Sequence, residues 1–294
     1  MPENREKAPK KPFKLAESRY RKVIVYVLSF VLSLLLVGAT LCGVLYLSVF
    51  SEKHFINSLG DGYYSAVYGE VVEAAEDITM PTGIDISVVQ GVFEYGDVVR
   101  DVNGYISAAF RGEEYTPDTE NSDNRLYINV SEFLDSHDVT LVEDKKDTIN
   151  AYIAEVNKEY AQYTRMPGLG IISEYRAKYL KIITIAFVIA AGLSVILGVI
   201  IVKMYHHPHR GMRFLAYAFG GTACMSFAAP FVMLVSGKYK GLNFSPQHFY
   251  NFAVGYISDA LKSCLFAALF WLAATVAIAF AIKFIRKKLI NESK

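Results

Sequence analysis

Four stretches of this chain run without Asp, Glu, Lys, Arg or His: Val23 to Phe50, Ile182 to Val202, Phe214 to Ser236 and Ser263 to Ile282. A helix rises about 1.5 Å per residue and the hydrocarbon core of a bilayer is about 30 Å thick, so each run is long enough to cross it. Backbone polar groups in lipid must bond within their own segment, which leaves the helix as the form for isolated runs of this kind. The reading is an all-α membrane protein with four transmembrane helices and a mainly helical extracytoplasmic domain inserted between helices 1 and 2.

Side assignment follows from the cations beside the runs, because Lys and Arg near a membrane helix tend to stay cytoplasmic. Residues 1–22 hold Arg5, Lys7, Lys10, Lys11, Lys14, Arg19, Arg21 and Lys22. Lys203, Arg210 and Arg213 follow the second run, and Lys283, Arg286, Lys287, Lys288 and Lys294 follow the fourth. All three groups fall on one side, so both termini are expected in the cytoplasm of a multi-pass plasma-membrane protein. The expected organisation is a basic cytoplasmic tail (1–22), membrane helix 1 (23–50), the acidic extracytoplasmic domain (51–180) and membrane helix 2 (181–204). A cytoplasmic loop (205–213), membrane helix 3 (214–236), an external loop with an interfacial aromatic helix (237–258), membrane helix 4 (259–284) and a basic tail (285–294) complete it. At 28 residues the first run outlasts a signal-peptide core of about 7 to 15 and reads as a retained signal anchor.

A net charge of +1 for the whole chain conceals a segregation: 51–178 carries 24 Asp and Glu against 10 Lys and Arg. The basic segments are membrane-flanking tails that suit anionic headgroups, so nucleic acid is not an expected partner. Cys42, Cys224 and Cys264 all lie in apolar runs. The acidic domain therefore has no disulfides and must rely on an ordinary core, which leans toward a bacterial cell surface.

Apolar spacing within that domain is helical. Tyr64, Val67, Tyr68, Val71, Val72, Ala75 and Ile78 predict a helix from after Gly60-Asp61-Gly62 to Pro81. Val98, Val102, Tyr105, Ile106 and Ala109 predict a second, ending near Gly112, and Ile149, Tyr152, Ile153, Val156, Tyr160 and Tyr163 a third over about 144–164. Gly112 to Asn124 is charged and rich in turn formers, and is expected as a mobile, water-facing loop. Leu126 to Val130 alternates and reads as a short strand. Glu113, Glu114, Tyr115, Asp118, Glu120 and Asp123 are the candidate external contacts. Asp118 to Asp123 is spaced superficially like a calcium loop, but lacks its turn glycine and final glutamate.

In the membrane, small residues let helices approach closely. Ala186, Ala190, Ser194 and Gly198 form one such ridge on the second run and Ala216, Gly220, Cys224 and Ala228 another on the third, so these two helices are expected to pack together. Pro230 is expected to bend the third. Ser245-Pro246 reads as a helix start, followed by Phe249, Tyr250, Phe252 and Tyr256 lying at the outer interface and turning near Gly255 into the membrane.

Chemistry is sparse. Charge-free runs argue against a proton-coupled carrier or a voltage sensor. The cytoplasmic parts are too short for a kinase or cyclase, and no phosphate-binding Gly-x-x-x-x-Gly-Lys-Ser/Thr loop occurs. His206-His207-Pro208-His209 reads as a tight turn, with no nearby ligand to complete a metal site. No cofactor, metal or catalytic residue is expected. The expected function is a non-enzymatic surface sensor, accessory or scaffold subunit whose partners are the bilayer and another membrane or cytoplasmic protein, a homo-oligomer being allowed. One helix, a large external domain and three further helices with both termini inside also resembles the layout of cell-division and macrolide-exporter permeases. That resemblance implies a permease subunit of an ABC-type machine. Those families carry a basic-acidic stretch before a Gly-Ala pair, whereas Tyr205 to Ala223 has no acidic residue.

Overall fold

The computed structural model describes the backbone of residues 12–137, 145–205 and 208–292 and the side chains of 20–137, 146–205 and 209–286. It is 87% helical, with no strand among the described residues. Helix α1 (Pro12–Val44) ends in a π-turn (Leu45–Val49); α2 (Glu52–Asn57), α3 (Gly60–Thr79), α4 (Tyr95–Arg111), α5 (Glu120–Ser136) and α6 (Lys145–Thr164) follow. Then come α7 (Leu169–Lys203), α8 (Pro208–Ser236) and α9 (Gln247–Glu292). Among the described residues, four segments are long and apolar enough to cross a membrane: Tyr20–Val49, Leu169–Lys203, His209–Ser236 and Gln247–Arg286. The chain divides into an apolar unit (Met1–Leu45, Ile183–Ser236, Ala260–Lys294) and a polar unit (Tyr46–Ile182, Gly237–Asp259).

In the apolar unit, α8 packs most extensively along α1. On α1 the buried Val25, Ser29, Leu32, Leu36 and Ala39 alternate steps of four and three, the spacing of a coiled-coil seam, with Ser33 buried beside Leu32. On α8, Phe214, Ala218, Thr222, Ser226 and Pro230 form a buried series four apart, with Ala223 buried beside Thr222. The two helices run parallel, since Tyr26 meets Phe214 (ring centroids 5.0 Å) and Ser33 Oγ meets Thr222 Oγ1 (3.4 Å) further along. A Cβ on Gly221 would lie 2.9 Å from Ser33 Oγ, so glycine there permits the approach. From α9, Trp271 Nε1 donates to Thr40 Oγ1 (2.9 Å) on α1 and its ring lies 5.1 Å from that of Phe219 on α8.

The two small-residue ridges do not face each other along their length. Ala186 is exposed, Ala190 and Gly198 are half-buried, and buried Ser194 donates to Ala190 O (2.7 Å) on its own helix. Ala216 and Gly220 are half-buried, whereas Cys224 and Ala228 are exposed. The packed face of α8 is offset by two positions, because its Ala218, Thr222 and Ser226 series fits the seam of α1. A ridge of small residues permits close approach without naming its partner. Contact between α7 and α8 is tight at their turn, where Gly211 backs onto the backbone of Val202.

The polar unit is a helical bundle around one core. Val67 and Val71 of α3, Val98, Val102 and Ile106 of α4, Leu126 and Val130 of α5 and Ile149 and Val156 of α6 are all buried within it. Leu126 to Val130, expected as a strand, is helical: Leu126, Val130 and Leu134 are a buried i, i+4 series, and only part of it is visible as alternation. Helix α4 ends at Gly112, in the left-handed conformation (φ 74°), with Glu113 N–H donating to Ala108 O and Gly112 N–H to Ala109 O.

Residues 247–259 also belong to this unit. Helix α9 passes straight through Gly255 instead of turning there; one helical glycine costs only about 1 kcal/mol. Phe252 and Tyr256 bury against Phe55 (ring centroids 4.9 and 5.2 Å), so these aromatics serve a protein core. Helices α7 and α9 thus each supply residues to both units.

Candidate functional site

The most ordered chemistry in the polar unit surrounds Asp101 on α4, which is fully buried. A buried carboxylate requires donors, and three converge on it. Tyr160 of α6 donates to Oδ2 (2.6 Å), Tyr115 donates to Oδ1 (2.9 Å), and Arg100 Nε donates to Oδ1 (3.1 Å). Phe93 stacks on Tyr160 at 5.1 Å. Burial, then donation to Asp101, pushes the Tyr115 hydroxyl up to about 12 and raises that of Tyr160 further. The hydrogen bond to Asp101 likewise raises Arg100, so the guanidinium stays charged. This cluster joins α4, α6 and the segment after α4, and its two tyrosine hydroxyls are spent on Asp101.

That segment, expected to be a mobile loop, is fastened at several points. The Tyr115 ring crosses α4 at Gly104, where a Cβ would lie 2.6 Å from its hydroxyl oxygen. Arg100 Nη2 donates to Asp118 O (3.2 Å). Glu120 and Asp123 lie in the first turn of α5, where acidic side chains favour the helix dipole. Asn157 Nδ2 of α6 donates to Asp123 Oδ1 (2.7 Å). Of the candidate contacts, Glu113, Glu114, Asp118 and Glu120 are exposed, Glu113 pairing with Arg111 (2.7 Å). Tyr115 and Asp123 turn inward to these structural partners.

A second constellation was not visible as a motif. Along one side of α3, Glu70, Glu73 and Asp77 line a cleft of about 510 Å³ with Tyr163, Arg165 and His248. An adjoining cleft of about 480 Å³ shares Glu70 and His248 and adds Tyr63 and Asn251. His248 Nδ1 lies 3.2 Å from Glu70 Oε1, and its ring meets that of Tyr63 edge-on at 5.0 Å. Glu70 and His248 are far apart in the chain and only α9's docking on the bundle joins them; the surplus of aromatics after Pro246 was the one sequence signal of that docking.

Among the described residues, no group of three or more His, Cys, Asp or Glu is placed to hold a metal ion. The His206 and His207 part of the histidine cluster lies outside the described residues. His54 packs against Tyr256, and His137 against Phe133 at the end of α5. The constellation can bind and orient a polar or cationic group through Glu70, Glu73 and Asp77. In comparisons with known proteins, no family model, no curated protein and no solved structure matches the chain.

Proposed function

We propose that this chain is a non-enzymatic multi-pass protein of the plasma membrane with both termini in the cytoplasm, acting as a surface sensor, accessory or scaffold subunit through its acidic extracytoplasmic unit. The observation that carries this is the sharing of α7 and α9 between the two units. A packed helix is stiff, so a ligand or protein that shifts the acidic bundle biases the membrane segments of the same helices. The exposed carboxylates Glu113, Glu114, Asp118 and Glu120 and those of the α3 cleft are the surface such a partner would meet. Output then belongs to another membrane or cytoplasmic protein, and a disulfide-free domain of this charge supports a bacterial setting.

Crosslinking from position 114 in native membranes, with the captured protein identified, tests the reading. A defined membrane or envelope protein supports it, whereas capture of nothing beyond lipid at positions 114, 118 and 120 refutes it. Orientation is tested separately. With the native cysteines replaced, Glu114→Cys should react with an impermeant maleimide on intact cells and Arg213→Cys only after permeabilisation.

The one-plus-three order of spans favours a second reading, a permease subunit of an ABC-type machine. It predicts co-purification of an ATPase, lost on replacing Arg210 and Arg213. An unchanged complex after those replacements counts against it.

A further inference from the structure

A cleft of about 530 Å³ opens in the polar unit between the π-turn end of α1, α2 and the first part of α7. Its wall divides chemically. Tyr46, Leu47, Phe50 and Leu180 form an apolar side, while Lys53 and Arg176 bring two cations. Arg176 is held in place before any ligand arrives: Nε donates to Phe50 O (3.1 Å), Nη1 donates to Phe110 O, and the guanidinium lies 5.2 Å over the Phe110 ring. The rest of its fork, Nη2 included, has no acceptor among the described residues. Lys53 is exposed and makes no ion pair among them. Glu52 also lines the cleft, and Arg111 lies within Coulombic reach to offset it.

We infer that this cleft binds the headgroup of an anionic phospholipid. Three features converge on that occupant. The guanidinium fork suits two oxygens of one phosphoryl group, and fixing it on two carbonyls removes much of the ordering cost of binding. Lys53 adds a second cation. The apolar side is continuous in sequence with membrane-crossing segments, Tyr46 and Leu47 ending one (Tyr20–Val49) and Leu180 lying in the next (Leu169–Lys203). A phosphate there sits at headgroup level with acyl chains along Leu47 and Leu180, whereas free inorganic phosphate uses only half of the wall. The inference rests on the membrane reading above and adds a lipid preference on the side of the bilayer occupied by the acidic unit, where the overall charge predicts repulsion of anionic lipid.

The test is native mass spectrometry on the full chain in detergent, titrated with phosphatidylglycerol and phosphatidylcholine of matched acyl chains. The expected result is about tenfold tighter retention of phosphatidylglycerol, the scale of one charge-assisted contact. That preference disappears in Arg176→Gln and falls about fivefold in Lys53→Gln. Inorganic phosphate at the same concentration leaves the lipid bound. Equal retention of the two lipids by the native chain, an unchanged preference in both variants, or displacement by inorganic phosphate each overturns the assignment. Since Arg176 also holds two carbonyls, its variant is checked by circular dichroism; if it unfolds, Lys53→Gln decides. Failure of the membrane reading itself shows separately, as a native chain that does not enter lipid nanodiscs.

Discussion

Replacing a glycine inside a helix by alanine ordinarily stabilises it by about 1 kcal/mol, and Gly104 should do the reverse. It lies within α4, and an added Cβ would fall 2.6 Å from the Tyr115 hydroxyl oxygen and closer to the ring. Neither helix backbone nor ring can yield that much without displacing Tyr115. The displaced hydroxyl gives up its 2.9 Å bond to Asp101, a hydrogen bond to a charged group worth about 1.5 to 3 kcal/mol. Setting the helical gain against this loss leaves Gly104→Ala destabilised by about 0.5 to 2 kcal/mol. Gly69 is the control: it is an exposed glycine on α3 with open space where its Cβ would go, so Gly69→Ala should stabilise. Thermal unfolding in detergent, followed by circular dichroism, gives the two signs, and hydrogen exchange over 113–119 reports whether the segment has come loose. Adding Tyr115→Ala to Gly104→Ala should make the alanine gain visible again. A Gly104→Ala chain that unfolds at higher temperature than the parent, with exchange over 113–119 unchanged, would refute the account of Tyr115 as a clasp.

Three further outcomes follow from the same geometry. Tyr115 ionises near 12 in the folded chain and near 10 when unfolded, so its contribution to stability is complete below about pH 10 and is lost as pH rises towards 12. The fall in unfolding temperature across that window should be shallower in Tyr115→Phe, and an identical slope would remove Tyr115 from the explanation. A Cβ on Gly211 would lie 2.7 Å from Val202 Cα, a backbone atom that cannot rotate away. Gly211→Ala should therefore cost about 1 to 3 kcal/mol by overpacking, while Gly192→Ala, with open space, should not lower the unfolding temperature. Trp271 is the only tryptophan, so emission from the whole chain reports its bond to Thr40. Thr40→Val should shift that emission to the blue at a stability cost of about 0.6 kcal/mol, typical of polar contacts between membrane helices; unchanged emission would mean the indole N–H is not held by Thr40.

Residues whose burial follows from local period were readable in the sequence, and those whose place depends on a distant partner were not. The i, i+3, i+4 stripes of α3, α4 and α6 report their buried faces directly, and Gly112 marks the end of α4 because the left-handed cap demands it. Helix α5 was half hidden, since Leu126 and Val130 are consistent with either period over so short a window. The α8 ridge failed for another reason: two four-residue series of small side chains coexist on one helix, and the seam on α1 selects between them. At the candidate site, the exposed carboxylates of 113–120 were legible as polar charge. The inward turn of Tyr115 depended on a missing Cβ eleven residues earlier, and the meeting of Glu70 with His248 on the docking of a helix that begins after three of the four spans.

That docking has a consequence for the order in which the protein is made. Phe55 emerges with the first part of the polar unit, yet Phe252 and Tyr256, which close over it, follow α7 and α8. Between Ile182 and Tyr256 the ribosome adds about 70 residues, which takes roughly 4 to 14 s at about 5 to 20 residues per second. Through that interval the bundle has all of α2 to α6 and an open aromatic end. Its final closure waits on the placement of α7 and α8, so a chain that mislays either advertises the error as an exposed Phe55, the kind of surface that quality-control proteases and chaperones read.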